Sequence, residues 1–330
     1  MKKIGILGAG TWGMALARML CRSGHDVCVW SALAQEVDQF SATRQHPNLP
    51  GMEIPAEIAF TKDIQVVCRE KDVLLFAVPS VFVRQTARAA APYIPQGQLI
   101  VDVAKGIEAD TLMTMSQIIA DTIENPSAKI VALSGPTHAE EVAKDLPTTI
   151  VSACEDLDAA RQVQQIFSCG SLRVYTNPDI LGVELCGAMK NIMALGSGIA
   201  LGLGYGDNTK AALITRGMAE IVRLGRALGC QEQTFYGLAG IGDLIVTATS
   251  PHSRNNRCGY LLGQGVPPAE AVKQVGMVVE GIHALDAAVI LAEKYRVEMP
   301  IVQAVNAVVH HGADPRTEVL KLMEREQRPE

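Results

Sequence analysis

The 330-residue sequence has no run of basic residues: 29 Lys and Arg stand against 35 Asp and Glu, a net charge of −6. That balance argues against nucleic acid or an anionic membrane surface as the main partner. A small anionic substrate would then have to be met by a few specific cations. Eight cysteines occur singly, none in a C-x-x-C pair and most inside apolar runs. This pattern excludes a disulfide framework and a zinc site, and reads as reduced thiols in a cytoplasmic protein. No uninterrupted apolar stretch approaches the roughly 20 residues that span a bilayer. Lys2 and Lys3 precede an apolar run that glycine breaks at once, so the N-terminus is a first strand and not a signal peptide. There is no internal repeat and no low-complexity tract. His310-His311 lacks a companion at metal-ligand spacing, so no metal is expected. What remains is 48% hydrophobic and 19% charged, a soluble globular composition long enough for two domains.

The most informative stretch is Ile4-Gly5-Ile6-Leu7-Gly8-Ala9-Gly10-Thr11-Trp12-Gly13 and the helix-forming run after it. A short aliphatic strand breaks into Gly8, Gly10 and Gly13 and resumes as a helix. In a dinucleotide-binding turn the first glycine allows the tight bend and the second lets backbone approach a pyrophosphate. The third lets helix and strand pack closely, and the helix N-terminus offers N–H groups and a positive dipole end to the phosphates. An ordinary glycine-rich strand-to-helix turn is the alternative.

Buried strands are expected at 27–30, 73–78, 99–104, 130–133, 148–153 and 172–175, with a helix at about 156–167. The alternation predicts a doubly wound parallel sheet over residues 1–178. Residues 46–63, with their prolines and Gly51, read as an excursion beside the sheet. From 179 to 330 the strand signal vanishes, and helical periods at 184–201, 209–228, 285–295 and 301–310 predict a mostly α-helical second domain. Segments 196–206 and 237–242 read as glycine-dense loops. At the end of the second strand, where NAD-binding folds place an acid, stand Ser31 and Ala32, so no acid is expected there.

Several residues could carry chemistry. Lys105 follows a buried strand directly, which suits a phosphate or carbonyl, or simply a solvated turn. Lys190 and Asn191 lie in a small, apolar helix. The lysine either snorkels to the surface or is desolvated for acid/base work. Glu184, two turns earlier, is a partner for it or a surface residue. Asp243 ends a glycine-rich segment as an acid or as a helix cap. Residues 250–257 are the densest polar stretch, either an exposed loop or a phosphate grip at a helix start. His138 is a weak acid candidate.

Six segments in one order complete the picture: Gly8-Ala9-Gly10-Thr11-Trp12-Gly13, Lys105-Gly106-Ile107-Glu108, Ser134-Gly135-Pro136-Thr137, Lys190-Asn191, Gly240-Ile241-Gly242-Asp243-Leu244 and Ser253-Arg254-Asn255. Together they closely resemble the NAD(P)-dependent sn-glycerol-3-phosphate dehydrogenases of bacteria, over nearly the whole chain. The resemblance implies a Rossmann-type domain followed by a helical substrate domain. It also implies hydride transfer between NAD or NADP and dihydroxyacetone phosphate, supplying glycerol phosphate for phospholipid synthesis. Lys190 would be the general acid, and Asp243 would orient it or bond a substrate hydroxyl. Lys105, Gly135, Thr137, Asn191, Asp243, Ser253, Arg254 and Asn255 would surround a small phosphorylated substrate. Gly8, Gly10, Thr11, Trp12, Gly13, Ala32, Lys105, Ala139, Arg254, Val278 and Glu280 would line the cofactor. Ala32 departs from the arginine that many members carry. A homodimer is among the assemblies the sequence allows. A hydroxy-acid dehydrogenase and a non-catalytic dinucleotide sensor are the alternatives. Ser253-Arg254-Asn255 counts against the first and Lys190 against the second.

Overall fold

The computed structural model describes residues 1–327, which divide into two compact units: 1–105 with 113–184, and 106–112 with the chain from Leu185 onwards. The first unit is built on an eight-stranded sheet. Its strands are β1 (Lys3–Leu7), β2 (Asp26–Trp30), β3 (Ala59–Thr61), β4 (Val73–Phe76), β5 (Leu99–Asp102), β6 (Lys129–Ser134), β7 (Thr148–Ala153) and β8 (Leu172–Asn177). Their order is β3-β2-β1-β4-β5-β6-β7-β8. The middle strands are buried on both faces, which is why β4 and β5 read as unbroken apolar runs. The reversal of strand order at β1 and β4 opens the crevice where such sheets bind ligands.

Two features depart from the sequence expectation. The segment 46–63 is not wholly an excursion, because its end forms β3, which pairs in parallel with the edge of β2 from Cys28↔Ala59 to Trp30↔Thr61. Three residues are too few to show a strand period. The sheet is also not parallel throughout, since β6 and β7 run antiparallel. A parallel return needs a substantial crossover, and the chain between these strands holds only the short helix Ala139–Val142.

The second unit is helical. Its central helix, Ile180–Gly202, is long and apolar enough to span a membrane by length and composition, but 89% of its apolar window is buried inside the protein. It is a core helix, with Leu185, Met189, Ile192 and Leu195 packed among Ile221, Leu224, Leu285 and Val302. The expected boundary at 178/179 lies just before this helix, whereas the division into units falls within it.

The glycine-dense loops expected here are loops only at residues 203–206 and Gly237. Residues 196–202 continue the central helix, and Leu238–Gly242 form a π-helical turn. The glycines serve close approach: a Cβ on Gly198 would lie 2.1 Å from the Asn256 carbonyl oxygen, and one on Gly259 would lie 2.1 Å from that of Leu195. Gly202 and Gly263 repeat the contact one turn on. The central helix and the helix Arg254–Gly263 therefore touch backbone to backbone. None of the eight cysteines is in a disulfide, and five of them are buried.

Candidate active site

In the first unit the glycine turn lies beside the end of β2, where the Gly8 N–H donates to the Trp30 carbonyl at 2.9 Å. Gly8 has φ +119°, and a Cβ there would lie 2.6 Å from the Ala77 carbonyl oxygen. A Cβ on Gly13 would lie 2.4 Å from the Gly8 carbonyl oxygen, whereas one on exposed Gly10 would meet nothing within 4 Å. Each glycine thus has the part a pyrophosphate-binding turn demands of it. The helix Thr11–Arg22 begins at Gly10 with no side-chain cap, and Thr11 and Trp12 stand half-buried in its first turn. The residues fit a dinucleotide phosphate.

The end of β2 corrects the expectation that no acid stands there. Ser31 is buried, and its hydroxyl donates to Glu36 Oε2 at 2.6 Å. Glu36 sits in the first turn of the helix Ala34–Thr43, so the acid comes from downstream and folds back. Ala32 is exposed. His46, stacked on Phe40, hydrogen-bonds the Ala9 backbone. Burial lowers its pKa, against the opposing Ala9 hydrogen bond and the Glu36 charge. Neither Glu36 nor His46 belongs to a sequence motif.

Further along the sheet, Lys105 Nζ and Thr137 Oγ1 both donate to the Gly135 carbonyl, at 3.0 and 3.1 Å. The three residues expected to act together are neighbours. Ala139 is buried in the short helix that His138 precedes. Glu184 is neither exposed nor placed against Lys190: it accepts from Thr114 Oγ1 at 2.7 Å, Ser116 N at 2.8 Å and Ser116 Oγ at 2.5 Å. Its carboxylate serves the start of the helix Met115–Ile123. Burial raises its pKa against those bonds. Asp102, at the end of β5, is driven well above the usual carboxylate range, first by burial and then by the Glu184 charge.

In the second unit Lys190 is buried, donating to Asp243 Oδ1 at 2.5 Å and to Thr247 Oγ1 at 2.7 Å. Lys190 is not a snorkelling surface lysine, and Asp243 is not a helix cap. Asp243 opens the helix Asp243–Thr249, which the π-helical turn feeds. Thr247 escaped notice in the sequence, although its i+4 spacing from Asp243 puts both on one helix face. Asn191 Oδ1 accepts from Asn255 Nδ2 at 2.9 Å, and Asn255 Oδ1 accepts from Gly281 N at 2.8 Å. One amide thus ties the central helix to the first turn of Glu280–Tyr295, with Val278 and Glu280 half-buried beside it. Ser253 caps the helix Arg254–Gly263 by accepting from Asn256 N at 3.2 Å, and Arg254 stands half-buried in its first turn. A buried lysine on a carboxylate suits proton transfer, and an arginine at a helix N-terminus suits a phosphate.

Comparison with known proteins places the chain in a family. Family models described as the N-terminus and the C-terminus of NAD-dependent glycerol-3-phosphate dehydrogenase match residues 3–160 and 179–320. The chain is 65% identical to glycerol-3-phosphate dehydrogenase (NAD(P)+) 2 of Lactobacillus delbrueckii subsp. bulgaricus, over 100% of this chain and 99% of that protein. It is 47% identical to the Bacillus subtilis enzyme of that name, over 98% and 95% of the two chains. The crystal structure of glycerol-3-phosphate dehydrogenase from Coxiella burnetii superimposes with a TM-score of 0.94 at 36% identity, covering 98% of this chain and 99% of that one. With the glycine turn, the buried Lys190–Asp243 pair and both family halves in one chain, this protein belongs to the NAD-dependent glycerol-3-phosphate dehydrogenase family.

Proposed function

We propose that this chain interconverts dihydroxyacetone phosphate and sn-glycerol 3-phosphate, with Lys190 as the proton donor. The nicotinamide of NADH or NADPH supplies the hydride. Lys190 gives its proton to the alkoxide that develops at C2 and takes it back in reverse, held by Asp243 and Thr247. Arg254 and the N-terminus of its helix take the substrate phosphate, whose binding orients C2. Lys105, fixed on the Gly135 carbonyl with Thr137, adds a cation toward the substrate anion. Asn191 and Asn255 align these groups through their shared amide bond, with Ser253 as the cap of the Arg254 helix. Gly8, Gly10, Thr11, Trp12 and Gly13 hold the dinucleotide phosphates, joined by Ala32, Ala139, Val278 and Glu280. The product is the phosphorylated glycerol that acylation consumes in phospholipid synthesis. Eight cysteines, none in a disulfide, support a cytoplasmic setting.

The observation that carries this reading is the buried Lys190–Asp243–Thr247 group in a chain of this family. A cuvette assay tests it: purified protein with dihydroxyacetone phosphate should consume the reduced-nicotinamide absorbance. No consumption, beside turnover of an unphosphorylated ketoacid, would overturn it.

A further inference from the structure

The end of β2 carries a selectivity device that no motif announces. A 2′-phosphate on the adenosine ribose needs a cation near this strand end, and free ribose hydroxyls need a hydrogen-bond acceptor. The cations within reach in sequence are already engaged. Arg44 donates to the Pro55 and Ile58 carbonyls, the latter at 2.7 Å, and lies over the Phe60 ring. Lys62 pairs with Asp38 at 2.6 Å. Ala32 offers no charge. The acid is present instead: Glu36 meets Ser31, one residue beyond β2 and next to the strand whose Trp30 carbonyl holds Gly8. The Ser31 hydroxyl proton is spent on that carboxylate, so Ser31 is not available to donate it to a phosphate.

We propose that Glu36 is the residue that selects NADH over NADPH, accepting from the adenosine ribose hydroxyls and repelling a 2′-phosphate. The proposal rests on the dehydrogenase reading above and goes beyond it, since it assigns a preference to a residue outside every motif. A like charge set against the phosphate at a partly exposed site should give discrimination on the order of 10–100-fold.

The test is direct binding, without substrate: calorimetric titration of NADH and NADPH into the unmodified protein, Glu36→Gln, Ser31→Ala and Ala32→Arg. The unmodified protein should bind NADH about 10–100-fold more tightly. Glu36→Gln should cut that ratio by roughly tenfold, by weakening NADH and strengthening NADPH. Ser31→Ala, which keeps the carboxylate, should preserve most of the discrimination. Ala32→Arg should strengthen NADPH by about tenfold, which keeps the idea testable if Glu36→Gln fails to fold. Tight NADPH binding by the unmodified protein overturns the proposal. So does a ratio in Glu36→Gln within about twofold of the parent, or an Ala32→Arg variant with unaltered NADPH affinity. If the ratio fails to move while dihydroxyacetone phosphate is still turned over, the selectivity proposal falls alone. If neither dinucleotide binds, the dehydrogenase reading falls with it.

Discussion

Arg18 and Asp145, in the first unit, meet through two hydrogen bonds of 2.8 and 2.9 Å, with Asp145 38% exposed. Lys190 and Asp243, in the second, meet at 2.5 Å with side chains only 8% and 1% exposed. The first pair fastens the helix Thr11–Arg22 to the turn after Ala139–Val142, and Arg22 joins it on the same carboxylate. Only its carboxylate end meets solvent, since the Arg18 side chain is 11% exposed, and the two-pronged contact anchors the helix to the turn. The second gives up the hydration of both ions, which an apolar pair of similar volume would not. A fold has no need of it. Chemistry does: an ammonium held by a carboxylate and a hydroxyl is poised to pass a proton.

The largest expected effect tests that distinction. Lys190→Met should lower kcat by on the order of 10²–10⁴, and should cost about 3–5 kcal/mol of stability by leaving Asp243 buried without its cation. Adding Asp243→Asn should restore most of the stability and none of the activity. Urea unfolding alongside turnover measures both, and recovery of kcat in the double variant would make Lys190 a packing residue.

Glu220 sharpens the comparison as a buried carboxylate that leans on backbone. It accepts from Ile301 N at 2.7 Å and Val302 N at 3.2 Å, and burial raises it from 4.5 to about 7. The folded state therefore holds its proton more tightly than the unfolded chain. Its contribution is complete below about pH 4.5 and is lost as pH rises through about 7. The loss amounts to roughly 3 kcal/mol across that window. Glu220→Gln should flatten this part of the urea-midpoint profile between pH 5 and 8. An unchanged slope would assign it to other groups, such as Glu184 and Asp102, which burial also raises.

Smaller effects test what holds the buried pair's neighbours. Gly259→Ala puts a Cβ 2.1 Å from the Leu195 carbonyl and should destabilise by about 1–3 kcal/mol. If Arg254 takes the phosphate as proposed, the substitution should also weaken substrate binding, because Arg254 and Asn255 ride on that helix. A normal KM in a destabilised Gly259→Ala would separate the helix crossing from the binding residues. A modest change is expected at the half-exposed pair, where Asp145→Asn leaves the buried Arg18 one amide oxygen in place of a carboxylate and should cost about 1–2 kcal/mol. A larger loss would put the two pairs on one footing.

What was legible in the sequence was local. The glycine turn, the alternation of strand and helix, and the helical periods after 178 each show within a few residues. They gave the doubly wound sheet and the helical unit. The ordered motifs carried the family. Lys190, Asp243 and Arg254 were visible as residue types in suggestive surroundings, and the resemblance left Asp243 between orienting Lys190 and bonding a substrate hydroxyl.

The partners are what only tertiary structure decided. Glu184 was set two turns from Lys190 on one helix, yet it turns to Thr114 and Ser116, because a buried carboxylate goes where donors satisfy it. Glycines that read as loops lie inside helices, since close helix crossing and chain reversal call for the same residue. The antiparallel β7 and the three-residue β3 depend on pairing, which leaves almost no trace in short runs. Glu36 reaches the end of β2 only because a helix begins between them and folds the acid back. Periodicity and turn chemistry act over a few residues, so the sequence by itself determined the elements and their order. Charge pairing and backbone contact act across 50 or more positions, as between Lys190 and Asp243 (53 apart), so the partners of each buried charge were settled only by the folded chain.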